Sequence, residues 1–246
     1  MNASLVSASR LAVMLSLLTG LGLGALPLPA LAQYTPPDRG LPGRREGGGT
    51  RGGAACMEGG GTLTSFIPPT LFGTTTAAAP KLYWYVPQIN APMLEFVLLD
   101  ANEDEVYVQE IEGIEGPGIM SVEVPTVVVE GETLSQLQEN EDYHWFLSVV
   151  CNPNDRSGDI YTEGWVRRIP LDPSLDAQLS GKSATEQSDL YAQFGIWHDA
   201  MDAIAQAQCS IPTDSMVARQ WDRILTSVGL ESFASEPTLF PCEPSE

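Results

Sequence analysis

Between residues 56 and 170, apolar and polar side chains alternate with a period of two, the spacing of a β-strand with one buried face. The alternation falls in short runs rich in β-branched and aromatic residues, which turn residues separate: 82–86, 94–99, 105–110, 120–124, 126–129, 143–151 and 160–169. Because no helical segments alternate with these runs, the pattern predicts an antiparallel β-sandwich rather than a parallel sheet.

After Pro173 the period becomes helical. Ser183 and Glu186 have the spacing of a capping box and predict a helix that ends at Gly195. Two further helices are predicted over 197–208 and 214–228. Residues 191–201 are similar to the turn between the two helices of a tetratricopeptide repeat, so we expect a helical hairpin plus one helix. The predicted fold is therefore mainly β with α.

The order of Cys56, Trp84 and Cys151 resembles that of an immunoglobulin domain, so the sandwich is Ig-like at fold level. Val149 stands where such domains carry a tyrosine, and the likeness goes no further than the fold.

The first 32 residues have the pattern of a cleavable signal peptide. Arg10 precedes a long apolar run, prolines break it, and the small residues Ala30 and Ala32 predict cleavage between Ala32 and Gln33. The alternative is an uncleaved membrane anchor, since the run approaches the ~20 residues of a membrane span. We expect export to the periplasm or the extracellular space, with no transmembrane segment after cleavage.

The mature chain divides by composition into four regions. Residues 33–55 are rich in Gly and Pro, carry four arginines, and predict a flexible arm that cannot bury enough apolar surface to fold alone. The β-sandwich domain is expected over 56–170, the helical region over 171–230 and a C-terminal tail over 231–246.

Charge narrows the choice of partners. The chain has 12 Lys and Arg against 32 Asp and Glu, a net charge of −20, and loss of Arg10 with the leader brings it to about −21. Such a surface repels nucleic acid, whose binding depends on clustered Lys and Arg. Cations, basic proteins and neutral glycans are better partners.

Four cysteines, Cys56, Cys151, Cys209 and Cys242, follow the predicted cleavage site. In an oxidising compartment they favour disulfides, and their spacing does not fit the common zinc patterns. Four cysteines allow three connectivities. We favour Cys56 with Cys151 and Cys209 with Cys242, because each pair joins segments of one region; free buried thiols are the alternative.

Several segments together resemble one family: 41–52 leading to Cys56, 83–87 with 95–100, 143–158, 195–200 and 227–230. On these segments the chain is similar, over nearly the whole mature length, to the cyanobacterial DUF928 family. The resemblance implies an exported protein of unknown activity and supplies no catalytic residue.

No segment carries a complete catalytic or metal motif. His144 lies in a predicted strand, His198 opens a predicted helix, and no Gly-x-Ser-x-Gly elbow accompanies them. Two acidic segments, 100–104 and 152–159, are weak calcium candidates, but the first lacks the Gly and Glu of a calcium loop. Paired carboxylates of a hydrolase could come from Glu95, Asp155 or Glu163.

The sequence therefore predicts an exported cell-envelope protein with a non-enzymatic protein-interaction module and no cofactor. Its partner is expected to be an envelope or secreted protein, and the candidate interaction surface consists of Trp197, His198 and Trp221. A glycan-binding or calcium-dependent β module is the alternative, and an acid-based hydrolase is the third hypothesis.

Overall fold

A computed structural model describes residues 33–49, 56–114, 116–124, 127–129, 132–134 and 137–242. The predicted signal peptide 1–32, with Ala32 at its end, lies outside the described residues, and Gln33 is the first residue described. In the part of the chain that is described, no helix has the length and apolar character needed to cross a membrane.

Eleven strands and four α-helices are described. The strands are β1 (Arg44–Gly49), β2 (Thr64–Ser65), β3 (Phe72–Thr75), β4 (Lys81–Val86), β5 (Met93–Leu99), β6 (Glu105–Glu112), β7 (Gly118–Glu123), β8 (Val127–Val129), β9 (Glu132–Leu134), β10 (Asp142–Val150) and β11 (Ile160–Arg168). The helices are α1 (Pro173–Leu179), α2 (Ala184–Gln193), α3 (Trp197–Ser210) and α4 (Ser215–Thr226). The prediction of a mainly β fold with α is confirmed.

The strands form a mostly antiparallel half-barrel in the order β6-β5-β10-β11-β1-β2-β4-β7, and β3 adds to β11 in parallel. The order is one continuous hydrogen-bonded path, in which β1 joins β11 to β2. The strands β8 and β9 form a separate hairpin. These hydrogen bonds describe a half-barrel and leave the Ig-like detail of the predicted sandwich unconfirmed.

The core lies where the two ends of the strand path face each other. The indole of Trp84 on β4 meets Trp145 on β10 and Phe96 on β5 edge to face, with ring centroids 5.3 and 5.8 Å apart. The indole N–H of Trp84 donates to Thr162 Oγ1 at 3.1 Å. Because this buried donor has a partner, the ring is held without an unpaired polar atom.

Strand β1 lies within residues 33–55, which the sequence predicts to be a flexible arm. In the structure the described part of this segment, residues 33–49, contains a paired strand. Arg44–Gly49 pairs with both β11 and β2. A Cβ on Gly47 would lie 2.9 Å from Ile160 Cγ2 and 3.0 Å from Leu63 Cβ, so glycine is needed for this close approach. Glycine-rich composition favours flexibility, whereas in this structure the missing side chain of Gly47 lets a strand enter a crowded position.

The helical region follows the predicted period. The capping box is present: Ser183 Oγ accepts from the backbone N–H of Glu186, and the Glu186 side chain accepts from the backbone N–H of Ser183. An additional helix, α1, precedes it, with Asp172 as its N-cap. Helix α3 packs on β3 and β4, which joins the helices to the sheet.

Two disulfides connect the pairs favoured from the sequence, Cys56–Cys151 and Cys209–Cys242. The first joins the segment before β2 to the residue after β10, and the second joins the last turn of α3 to the C-terminal tail. Closing loops of 95 and 33 residues restricts the unfolded chain and so stabilises the fold.

The glycine opposite Trp145 gives a direct test of this packing. A Cβ on Gly164 would lie 2.4 Å from Trp145 Cζ2, and the buried indole has no room to withdraw. We expect Gly164→Ala to lower the free energy of unfolding by about 1 to 3 kcal/mol in denaturant titrations. Gly40→Ala is the matched control, because its Cβ would meet only Thr70 O at 3.7 Å. Equal stability of the two variants would contradict the packing described.

Candidate functional site

A cavity of about 390 Å³ opens where helices α2 and α3 meet the ends of β3, β4 and β7. Its lining is mostly polar, and the side chains able to contact a ligand through polar atoms include Thr75, Lys81, Glu123, Gln187, Tyr191, His198, Asp199 and Asp202. Sheet and helices each contribute one side, so the cavity exists only when α3 is packed on the sheet.

Asp199, in the first turn of α3, fixes the wall formed by the β3–β4 connection. Both of its carboxylate oxygens accept from the backbone N–H of Thr76 at 3.1 Å, and Oδ1 also accepts from the Thr76 hydroxyl. Burial raises the pKa of Asp199, while these hydrogen bonds act in the opposite direction. The carboxylate therefore positions the wall.

Asp202 lies one turn further along α3 and binds the sheet through Tyr83. The Tyr83 hydroxyl donates to Asp202 Oδ1 at 2.5 Å, and the Gln206 side-chain amide donates to the same hydroxyl at 3.4 Å. Tyr83 is only 3% exposed. A buried tyrosine of β4 thus sets the position of a carboxylate that faces the cavity.

His198 closes the cavity on the side of β3. It is 4% exposed, and burial lowers the pKa of its imidazole to about 3. Its Nε2 has no hydrogen-bond partner among the described residues, and a Cβ on Gly73 would lie 2.4 Å from that atom. The imidazole is consequently neutral near pH 7 and is unsuited to general acid–base work there.

The cavity carries an excess of negative charge. Glu123, Asp199 and Asp202 are opposed by one lysine, Lys81, because His198 is neutral. Tyr191 adds a hydroxyl whose pKa is raised, mainly by burial, so it stays protonated and can donate. The lining therefore favours a ligand with a positive group and further hydrogen-bonding atoms.

The structure buries all three side chains of the predicted interaction surface, Trp197, His198 and Trp221. Trp197 is fully buried and donates to Phe66 O at 2.8 Å, and Trp221 is 2% exposed and donates to Ala234 O at 3.0 Å. With His198 they belong to the apolar sides of α3 and α4, which pack against the sheet and each other. The indole rings of Trp197 and Trp221, which the sequence predicts at an interaction surface, pack in the core.

In the two acidic turns, side-chain oxygens accept hydrogen bonds from the backbone of the same turn. Asp100 Oδ1 accepts from the backbone N–H groups of Asn102 and Asp104 at 2.8 and 3.0 Å, which caps the β5–β6 turn. In the other turn, Asn152 Oδ1 accepts from Asn154 N–H at 3.0 Å. Across the described part of the chain, no three or more His, Cys, Asp or Glu side chains are grouped as a metal site.

The carboxylates considered for hydrolysis also have structural partners. Arg156 binds Glu95 at 2.7 Å and pairs with Asp159, and these contacts raise the pKa of the guanidinium. Asp155 accepts from the Ser157 hydroxyl at 2.6 Å. Glu163 lies 3.3 Å from Nε2 of His144, whose ring stacks on Trp165 with centroids 4.1 Å apart. These groups hold turns and strands together.

Sequence reasoning missed the cavity because its walls come from distant segments. Lys81 and Glu123 face each other across the paired strands β4 and β7, and the docking of α3 brings Asp202 to them. One signal was available: Asp199 and Asp202 interrupt the otherwise apolar side of a helix that begins with a buried tryptophan. Acidic residues at such positions need polar partners in the element that covers them.

The buried imidazole predicts a pH dependence of stability. Below about pH 6.5 the unfolded state takes up a proton that folded His198 refuses until about pH 3. The free energy of unfolding should therefore fall by up to about 1.4 kcal/mol per pH unit between pH 6.5 and 5. Denaturant titrations of the wild type and His198→Gln should show a shallower slope in the variant. Parallel slopes would contradict a depressed pKa.

A comparison with protein-family models matches the part of the chain that forms the sheet and the helices. A family model described as a domain of unknown function, DUF928, matches residues 46–238. The matched range runs from β1 into the C-terminal tail and contains every residue that lines the cavity. No curated protein matches the chain. Since the match covers most of the sequence, the chain belongs to the DUF928 family.

Proposed function

We propose that the protein is an exported, non-enzymatic binding module of the cell envelope, whose sheet–helix cavity receives a basic side chain of an envelope or secreted protein. The cavity, with three carboxylates opposed by one lysine, is the observation that carries this proposal. Its volume of about 390 Å³ is sufficient for the end of a Lys or Arg side chain.

Long-range charge supports a basic partner. The net charge of −20 attracts basic proteins and accelerates their encounter at low ionic strength. At the cavity, carboxylates can form charge-assisted hydrogen bonds with an ammonium or guanidinium group, and the Tyr191 hydroxyl and the Gln187 amide can add neutral ones.

Binding is favoured over catalysis by the state of the groups in the cavity. A general base near pH 7 needs a pKa near that value, whereas burial holds the pKa of His198 at about 3. Asp199 is engaged by Thr76. The lining thus offers charge and hydrogen bonds without a nucleophile activated by an adjacent base.

The finer features of the predicted fold are part of the same proposal. We infer that α2 and α3 act as a tetratricopeptide-type hairpin and that the half-barrel is related to Ig-like sandwiches. The first inference is supported by the turn at Gly195, with φ of +73°, and by the Ser188 hydroxyl, which donates to Ala200 O at 2.8 Å across the hairpin. The second is supported by the facing ends of the strand path.

A glycan is the second candidate ligand. Tyr191 and Gln187 in the cavity, with the carboxylates, supply the donors and acceptors that sugar hydroxyl groups need. Calcium dependence belongs to this candidate, and repeating the sugar titration with calcium tests it.

The cavity can be tested by titrating the mature chain with Nα-acetyl-lysine methylamide, Nα-acetyl-arginine methylamide and N-acetylglucosamine under NMR observation. We expect either cation to shift the amide signals of Thr75 and Ala203. Glu123→Gln and Asp202→Asn should each weaken binding about tenfold, since each removes one attractive charge worth roughly 1.4 kcal/mol. Asp222→Asn, on α4 outside the cavity, is the matched control.

Three results would decide between the candidates. Shifts at Thr75 and Ala203 with the sugar alone would favour the glycan. Shifts with the cations that Asp222→Asn weakens as much as Asp202→Asn would indicate only diffuse attraction to an acidic surface. No shift at these residues with any probe would contradict ligand binding in the cavity.

Export makes a separate prediction. If the leader is removed as expected, the mature protein begins at Gln33, and intact-mass spectrometry of protein from a fractionated host should find the mass of residues 33–246 outside the cytoplasm. Ala30→Lys and Ala32→Lys should block cleavage, because the small residues are what the peptidase recognises. A full-length mass in the cytoplasm of the wild type would refute export.

A further inference from the structure

The exposed edge of β7 is covered by the C-terminal tail. Strand β7 ends the strand path, so one of its edges has no neighbouring strand. There the backbone N–H of Ile119 donates to Pro237 O, and the backbone N–H of Leu239 donates to Ile119 O, both at 2.7 Å. Thr238 forms a parallel bridge with Ile119, so the tail pairs as a short added strand.

Side-chain packing makes the fit close. A Cβ on Gly118 would lie 2.7 Å from both Leu239 Cγ and Pro237 O. Phe240 is 7% exposed and packs edge-on against Tyr83, with ring centroids 5.3 Å apart. The tail therefore recognises the edge through backbone hydrogen bonds and through one buried aromatic ring, which is how peptides bind by strand addition.

The two edges of the strand path are protected in different ways. The edge strand β6 carries Glu105, Glu110 and Glu112, and charges on an edge oppose pairing with another chain. In β7 the first five residues, Gly118 to Val122, are uncharged. This edge depends on the tail for its protection.

The Cys209–Cys242 disulfide fastens the tail to α3. Cys242 is exposed, whereas Cys56 of the other disulfide is 3% exposed. A disulfide that solvent can reach is the one that a thiol can attack. Cys151 and Cys209 are both half-buried, so the bond that closes the tail over β7 is, through Cys242, the more accessible of the two.

We propose that the edge of β7 is a strand-binding site for the tail sequence, that Cys209–Cys242 keeps it filled by the chain's own tail, and that opening this disulfide lets the tail of a second copy take the same place. The reductant is a dithiol: one of its thiolates attacks Cys242 Sγ and displaces the Cys209 thiolate. Its second thiolate then releases Cys242 as a thiolate. The reductant leaves oxidised to its disulfide, having transferred two electrons, and each cysteine sulfur takes up one proton.

Amide hydrogen exchange followed by NMR tests the gating step. We compare the oxidised mature chain with Cys209→Ser/Cys242→Ser, which leaves the other disulfide closed. Ile119 and Leu239 should exchange at least tenfold faster in the variant, because the tail leaves the edge more often. Met120 is the internal control, since alternation along an antiparallel strand directs its N–H to β4. Unchanged protection of Ile119 would overturn the proposal.

A peptide tests the binding site itself. The full-length mature variant Cys209→Ser/Cys242→Ser/Leu239→Pro has a tail that is unfastened and lacks the Leu239 donor, so its β7 edge should accept a peptide of residues 235–241. The same peptide with Leu239→Pro should not bind, and the oxidised wild type should bind neither peptide. Slowed exchange of Ile119 reports occupancy of the edge. If Met120 stays protected and the first peptide does not bind, or if it binds the oxidised wild type equally, the proposal is refuted.

Discussion

The burial of Trp84 is the constraint on which the structure depends. Its strand, β4, lies near one end of the strand path, and its ring meets Trp145 and Phe96 from strands near the other end. An open sheet would leave this ring in water, so curvature of the half-barrel is the means by which the largest apolar side chains are buried. The hydrogen bond from the indole N–H to Thr162 fixes the position of β4 relative to β11 on the opposite side of the core.

The other face of β4 borders the cavity that we propose as a binding site. Tyr83, next to Trp84 in sequence, points away from the core of the half-barrel, toward α3, and donates to Asp202. One dipeptide thus connects the two cores of the protein, with the tryptophan in the first and the tyrosine in the second. The cavity forms beside this connection, which explains why Asp202 is held by the sheet although α3 carries it.

Local pattern was sufficient to predict most elements and the two disulfides, but not the way in which they meet. The long strands β4, β5, β6, β7, β10 and β11 and the capping box of α2 have clear periods. Strand β1 does not show in the sequence pattern because its Arg and Gly residues have weak strand preference, and one of its two partners, β11, is over 100 residues away. Trp197 and Trp221 were assigned to the surface for a related reason: a helix period shows which side is apolar and does not show what covers it.

Strand β11 pairs with three strands, and this has a consequence for the order of folding. Its partners are β10 just before it, β3 in parallel, and β1, which is the first strand described. Neither β1 nor β3 can complete its pairing until β11, which ends at Arg168, is available. Such long-range pairing slows folding. A chain built in this way cannot complete its sheet until the first 168 of its 246 residues are available.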